Sequence, residues 1–409
     1  MVRCLTLRPE TGGRVIDVAI VGAGPAGLHA GRLLAQAGLD VQIFEEHPAI
    51  GAPTHCTGIV SLEVSEFVKI PDDIMLNRLS VARLHGPRGA TCEVTWSQTS
   101  PDGIVVVDRA RFDEHLAEEA LKAGAAIHTG AAVLSLRVDR GAVRLALADR
   151  TLEARVVVLA AGVTYRFHRQ LGLPLPADLL HTAQIEVEAS VSPHVDLYFG
   201  RTIAPEGFVW TVPIARGTVG RSKIGVLARG PAAMFLRRFL ARPEVRARTG
   251  LPTSAPVMRA LPLKPAPQSY ADRVLLIGDA GGFTKPTTGG GIFYSLLTAS
   301  LAADTLVDAF RAGRFDAVAL APYGRRWRDR LARELSAGEW ARRAVATCSD
   351  ADLDRLVAAV GAESVTAMIQ ASARFNWHRR LIVTLLHDPG IGSILVRGLL
   401  GGGWRRAHR

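Results

Sequence analysis

The sequence predicts an α/β protein: a Rossmann-like dinucleotide-binding domain carries an inserted antiparallel-sheet domain and is followed by a helical C-terminal region. Three observations predict it. A strand, a glycine-rich loop and a helix follow one another from Ile16; a second strand ending in Gly278-Asp279 and a glycine-rich turn recurs about 250 residues later; and stretches between them alternate apolar with polar residues.

In the first unit, Ile16 to Val21 (IDVAIV) reads as a short buried strand, Ala26 to Ala37 as a helix closed by Gly38, and Val41 to Phe44 as the next strand. Between strand and helix stands Gly22-Ala23-Gly24-Pro25-Ala26-Gly27. In this G-x-G-x-x-G pattern Gly22 permits a tight turn, Gly24 lets the backbone approach a pyrophosphate, and Gly27 lets helix and strand pack closely. The phosphates then meet the positive end of the helix. Glu45, with Glu46 beside it, ends the second strand eighteen residues beyond Gly27. Its carboxylate suits the two ribose hydroxyls of an adenosine and repels a 2′-phosphate, which disfavours NADP at this site.

The second unit, Arg273 to Ile292, reads RVLLIGDAGGFTKPTTGGGI. Its apolar strand, Val274 to Ile277, delivers Gly278 and Asp279, and Gly289, Gly290, Gly291 and Ile292 open a long helix with free backbone N–H groups. A carboxylate at that strand end suits a ribityl hydroxyl, which NAD lacks. The helix end suits the negative charge a reduced flavin carries near N1 and O2, so the expected cofactor is FAD.

A third apolar strand, Val156 to Ala160, precedes Gly162, and the alternating strands between Leu79 and Trp96 and from His181 to Leu227 form a separate sheet. The expected division is 15–78, 102–165 and 268–312 for the FAD-binding domain, 79–101 and 166–267 for a substrate domain, and 313–409 for a helical cap.

The two flavin segments resemble the p-hydroxybenzoate hydroxylase superfamily of flavoproteins, and within it geranylgeranyl reductases. Pro53-Thr54-His55-Cys56-Thr57-Gly58 resembles the reductases' cysteine-glycine loop beside the flavin, Gly207 to Pro213 (GFVWTVP) their tryptophan strand, and Lys285-Pro286-Thr287-Thr288-Gly289-Gly290-Gly291 their Asn-Pro-x-Thr-Gly turn. The match covers roughly residues 15 to 310. The resemblance further implies that Arg109, in Val107 to Asp113 (VDRARFD), contacts the polyol and phosphates of FAD, and that the backbone of Val133 touches adenine. Two departures bear on function. Ala160-Ala161-Gly162 stands where relatives have Ala-Asp-Gly, which puts direct use of NADPH in doubt and leaves reduced ferredoxin as an alternative donor. Val212 and Phe208 replace Phe and Tyr in the tryptophan strand, which bears on channel width.

By this resemblance the expected reaction is hydrogenation of double bonds in an isoprenoid lipid or quinone tail. Saturating an unactivated alkene needs a dry channel and a proton for one carbon; Cys56 or a bound water could supply it, and Trp210 either lines the channel or packs the core. Two other classes stay open: a flavin monooxygenase or halogenase, for which Lys69 is the lysine at about the right depth, and an electron-transfer flavoprotein serving an acidic partner.

The composition narrows the field. The net charge is +11, but the arginines are scattered with no aromatic interleaving, which argues against nucleic acid. Cys4, Cys56, Cys92 and Cys348 have no CxxC spacing and no His/Cys/Asp/Glu cluster has ligand spacing, so neither a disulfide framework nor a metal is expected. The first fifteen residues lack an apolar signal run and read as a leader. Leu381 to Trp404 is broken by His387, Asp388, Pro389 and Arg397, short of the roughly 18 apolar residues a spanning helix needs. A cytoplasmic protein is expected, with association at an anionic membrane surface left open.

Overall fold

The computed structural model describes residues 15–54, 56–96, 103–189, 194–216, 219–249 and 255–406. The leader, Cys4, His55 and Arg409 lie outside these residues.

Strand Ile16–Val21 lies at the centre of an eight-stranded sheet. Thr151–Leu159 and then Val274–Leu276 flank it on one side, Val41–Phe44 and Ala126–His128 on the other, all parallel. These strands are almost wholly buried, as parallel strands covered on both faces must be. One face packs against helices Pro25–Gln36, Arg109–Lys122 and Ile292–Ala312. The other is covered by the ribbon Ser135–Val138 and Val143–Ala146, which buries Leu136, Val143 and Leu145 against Phe44 and Leu159. Both flavin segments thus end adjacent elements: Gly22, Glu45, Ala160 and Asp279 all follow the carboxyl ends of parallel strands, where ligands of open α/β sheets sit.

The second sheet has seven strands in the order Val257–Lys264, Ala177–Glu188, Val219–Ala228, Phe208–Arg216, Val195–Tyr198, Val81–His85, Thr91–Thr95. Helix Ala232–Leu240 covers one face with Phe235, Leu236 and Phe239. A three-stranded sheet, Ile59–Ser61, Ile104–Val107 and Met75–Leu79, joins the domains. Within segment 166–176, Phe167 and Leu173 pack with the buried residues of the first sheet, and strand Ala177–Glu188 then enters the second.

Beyond Gly313, helices Ala317–Thr347, Asp350–Val360, Glu363–Ser372, Arg379–Leu386 and Pro389–Arg406 form the C-terminal region. The first is anchored by Tyr323 and Trp327, which donate to the Leu276 carbonyl at 2.7 Å and to Ser269 Oγ at 2.8 Å. The apolar run that begins at Leu381 bends by 100° between Arg379–Leu386 and the helix after it, because His387, Asp388 and Pro389 break it. Among the described residues, Ile292–Ala312 alone is long and apolar enough to cross a membrane as a single helix, and 72% of its apolar window is buried inside the protein.

Candidate functional site

A cavity of about 1020 Å3 runs from the carboxyl edge of the first sheet to the face of the second. Of the residues expected at a cofactor, Gly22, Gly24, Pro25, Ala26, Glu45, Glu46, Cys56, Thr57, Arg109, Val133, Asp279, Gly289, Gly290, Gly291 and Ile292 line it, and so does Trp210. Gly27, Gly58, Gly278 and Pro286 do not; they shape its walls. A Cβ on Gly27 would lie 2.0 Å from the Gly22 carbonyl oxygen, and one on Gly58 2.3 Å from that of Val107. Gly278, at φ +57°, abuts Ser295 and Ala26, and Pro286 packs against Gly338 of the long C-terminal helix.

The polar groups fit a dinucleotide. Helix Pro25–Gln36 begins at Gly24 and helix Ile292–Ala312 at Gly291, and neither has a side-chain cap or an acidic residue in its first turn. Two sets of N–H groups with their positive dipole ends therefore face the cavity without side-chain partners, an arrangement that costs stability unless water or an anion fills it. A Cβ on Gly24 would meet nothing within 4 Å, so the backbone there is open to a ligand. Glu45 Oε2 accepts from the Ala23 N–H at 2.9 Å while Oε1 accepts from the His47 N–H at 3.0 Å, which fixes the carboxylate over the loop.

Arg109 follows Asp108, which caps helix Arg109–Lys122 by accepting from the Ala110 and Arg111 N–H groups. Its Nη2 donates to both Asp113 oxygens, at 2.9 and 3.0 Å, while its buried Nε has no partner. The helix-start ion pair is present, and the guanidinium also borders the cavity with a donor to spare. The Val133 carbonyl already accepts from Arg166.

Asp279 faces the cavity with its carboxyl pushed up to about 6, because burial disfavours the charge more than Arg109 and Arg259 favour it. Its folded pKa lies above the unfolded value, so the group costs nothing below about pH 4 and its penalty grows as pH rises through both values. Asp279→Asn is therefore expected to stabilise the cofactor-free protein by about 1–3 kcal/mol near pH 7 and by nothing near pH 3, while weakening FAD retention. Denaturant unfolding at the two pH values checks this.

At the other end the lining turns apolar, with Leu79, Val94, Ile104, Leu197, Phe208 and Trp210 among its residues. Trp210 both lines the cavity and packs: a Cβ on the paired Gly225 would lie 2.2 Å from its ring, so glycine lets the indole lie across the neighbouring strand. Its buried Nε1 has no hydrogen-bond partner. Phe208 lines the chamber, whereas Val212 is fully buried in the core with Leu79 and Ile214, so only Phe208 bears on channel width.

Several residues at the site escape the sequence patterns. Lys223 is 4% exposed and donates to the Thr57 carbonyl at 2.9 Å and the Cys56 carbonyl at 3.4 Å. Gln184 accepts from Thr57 Oγ1 at 2.6 Å. Together they tie the Cys56 loop to the second sheet. The sequence offers one weak signal, Ser222-Lys223 standing directly before the apolar run Ile224 to Ala228. Ile369, Ala373, Phe375 and Leu381 of the C-terminal region close the chamber, and nothing in their local pattern marks them. Lys69 is exposed and no lysine lines the cavity. No group of three His, Cys, Asp or Glu side chains among the described residues could hold a metal.

The fold and the cleft define a two-domain α/β protein of the dinucleotide-binding flavoprotein type. Residues 15–221 match the family model described as an FAD binding domain. The chain is 30% identical over 372 residues to a digeranylgeranylglycerophospholipid reductase of Methanoculleus marisnigri, covering 85% of this chain and 91% of that protein. It is 29% identical to the enzyme of the same name from Methanothrix thermoacetophila, covering 90% and 99%. Among solved structures, a geranylgeranyl bacteriochlorophyll reductase-like protein from Thermoplasma acidophilum superposes with a TM-score of 0.79 at 24% identity, covering 92% of this chain and all of that one. The p-nitrophenol 4-monooxygenase of Pseudomonas putida shares the fold, with a TM-score of 0.70 at 18% identity, covering 88% and 98%. The chain belongs to the geranylgeranyl reductase family of FAD-dependent oxidoreductases.

Proposed function

We propose that this protein saturates double bonds in the isoprenoid chain of a lipid, using FAD held across the two uncapped helix ends. The observation that carries the reading is the continuity of one cavity, polar and rich in backbone donors at the first sheet, and lined by Leu79, Val94, Leu197, Phe208, Trp210 and Leu381 where it meets the second. Relatives named for reduction of digeranylgeranylglycerophospholipid support the substrate class.

When bound, FAD supplies the two reducing electrons. The chain's own residues do the rest. Gly22 to Gly27 with Arg109 would hold the pyrophosphate, Glu45 the adenosine ribose, Asp279 a ribityl hydroxyl, and the helix start at Gly291 and Ile292 the electron-rich edge of the flavin, while the Gly289 and Gly290 N–H groups are engaged within the turn by the Lys285 carbonyl and Thr288 Oγ1. Leu79, Val94, Leu197, Phe208 and Trp210 exclude water and align the chain. Cys56 lines the cavity, with its loop fixed by Lys223 and Gln184, and its thiol is the proton donor in this reading. The absence of a carboxylate at Ala161 favours reduced ferredoxin over NADPH as the source of electrons, and the positive net charge suits an acidic donor protein. The reading places the protein in the cytoplasm, meeting its lipid at a membrane surface.

The test is anaerobic: photoreduced, FAD-loaded protein is mixed with polyprenyl glycerophospholipid and the return of the yellow oxidised flavin is followed. Lipid-dependent reoxidation supports the reading; flavin that stays reduced with the lipid, and hydroxylates a substrate only once air is admitted, would favour a monooxygenase. Cys56→Ala is expected to slow lipid-dependent reoxidation about 10²-fold or more at unchanged FAD content, the size of a lost general acid. A rate within threefold of the parent would remove the thiol from the mechanism.

A further inference from the structure

One buried cation has no part in the chemistry above. Lys285 is 3% exposed. Its Nζ donates to the Phe375 carbonyl at 2.8 Å and to Asn376 Oδ1 at 3.2 Å, and it lies 3.8 Å from the centroid of the Phe375 ring. Its other side touches the glycine turn: a Cβ on Gly290 would lie 2.7 Å from Lys285 Cε and 3.2 Å from Nζ. The Lys285 N–H donates to the Gly290 carbonyl at 3.0 Å, and the Gly289 N–H to the Lys285 carbonyl at 2.8 Å. A single side chain thus touches both the glycine turn and the Phe375 segment, two parts of the cavity lining.

The contact continues on both sides. Asn376 Nδ2 donates to Ser61 Oγ and Glu63 Oε2, both at 2.7 Å, and Trp377 Nε1 donates to Glu63 Oε1. Tyr294 Oη donates to the Asn376 carbonyl at 3.0 Å, and His378 is hydrogen-bonded to Thr287. Residues 375–378 of the C-terminal region are therefore bound to the FAD-binding domain through a set of polar contacts, beside which the Trp377 ring packs edge-on against Phe293 at 5.6 Å. Burying an ammonium costs several kcal/mol. Two carbonyl-type acceptors, a ring face and the charge of Glu63 offset part of that, and burial still holds Lys285 down at about 7. An apolar side chain in the same slot would pack without the penalty but would leave the 375–376 acceptors without a donor.

We propose that Lys285 is a positioning residue that latches the 375–378 segment to the glycine turn, so that Phe375 closes the chamber over the substrate chain. The identity of that chain rests on the lipid-reductase reading; the latch itself does not.

Hydrogen exchange of the full-length, FAD-loaded protein tests it. In Lys285→Met, protection across 375–386 is expected to fall about tenfold or more while strands Ile16–Val21 and Val274–Leu276 keep theirs. The lipid KM is expected to rise about 5–20-fold with kcat within about twofold, the signature of lost binding rather than lost chemistry. Asn376→Ala probes the same contact from the other side should the lysine variant fold poorly, and the double variant is expected to exchange no faster than the worse single one. Exchange that rises evenly over the whole chain, stays unchanged at 375–386, or adds across the two variants would overturn the proposal. If the parent protein reduces no lipid, the substrate reading fails, and the exchange measurement still decides the latch.

Discussion

A Gly27→Val protein is expected to be purified without FAD and to lose about 3–5 kcal/mol of stability, the upper range for overpacking against rigid backbone. Its Cβ would sit 2.0 Å from the Gly22 carbonyl oxygen and 3.2 Å from Ala160 Cβ. Neither neighbour can yield. Gly22 is held by its N–H, which donates to the Phe44 carbonyl at 2.8 Å, and Ala160 by its N–H on the Val21 carbonyl at 2.9 Å. The helix must therefore move off the strand, which widens the phosphate loop and tilts the helix end away from its anion. Flavin absorbance after purification, together with denaturant unfolding of the cofactor-free protein, reads both effects. A yellow, stable variant would mean that the close helix–strand approach is unnecessary.

Arg109→Met is the second large effect. The pair with Asp113 is almost fully buried, with side-chain exposures of 11% and 9%. Removing the cation leaves an uncompensated buried carboxylate, at a cost of about 3–5 kcal/mol. Burial already pushes the Asp113 carboxyl above its usual range against the pull of Arg109, and losing that pull raises it further. A raised carboxyl destabilises the fold only where the unfolded chain is ionised, so the deficit relative to the parent is expected near pH 7 and to shrink below about pH 4. Arg109→Met/Asp113→Asn should recover most of the stability but not the flavin, because the donor offered to the pyrophosphate stays missing. If the double variant regained full FAD content, Arg109 would be a structural ion pair and nothing more.

The parts of the site legible in the sequence are those whose chemistry is local. Gly22, Gly24 and Gly27 occupy a turn that backbone sterics dictate within six residues. Glu45 and Asp279 are each delivered by the strand immediately before them. The ends of strand Val41–Phe44 matched the pattern to the residue, since Val41, Ile43 and Phe44 stand between Asp40 and Glu45 and leave little choice. Strand Ala177–Glu188 starts four residues before His181, where the alternating stretch begins in the sequence, because pairing with Val257–Lys264 extends it through residues of mixed character.

What stayed hidden depends on contacts between distant segments. Lys223 reads as an ordinary strand lysine until the fold brings Thr57, 166 residues away, within hydrogen-bond reach. Lys285 looks like part of a turn, and its acceptors on Phe375 and Asn376 come from the far end of the chain. Phe375 and Leu381 lie in a region with no flavin motif, and only the return of the C-terminal helices to the second sheet makes them chamber wall. Hydrophobic periodicity predicts that such residues are buried, not what they are buried against.

The central claim is that one cavity brings an FAD cradle and a lipid channel together for reduction. It is tested most directly by the mass of the lipid. Protein loaded with FAD, reduced with dithionite under anaerobic conditions and incubated with digeranylgeranylglycerophospholipid should yield product heavier by two hydrogens for each double bond saturated, and Arg109→Met protein lacking flavin should yield none. Lipid recovered at its starting mass from reduced, flavin-loaded protein would contradict the account.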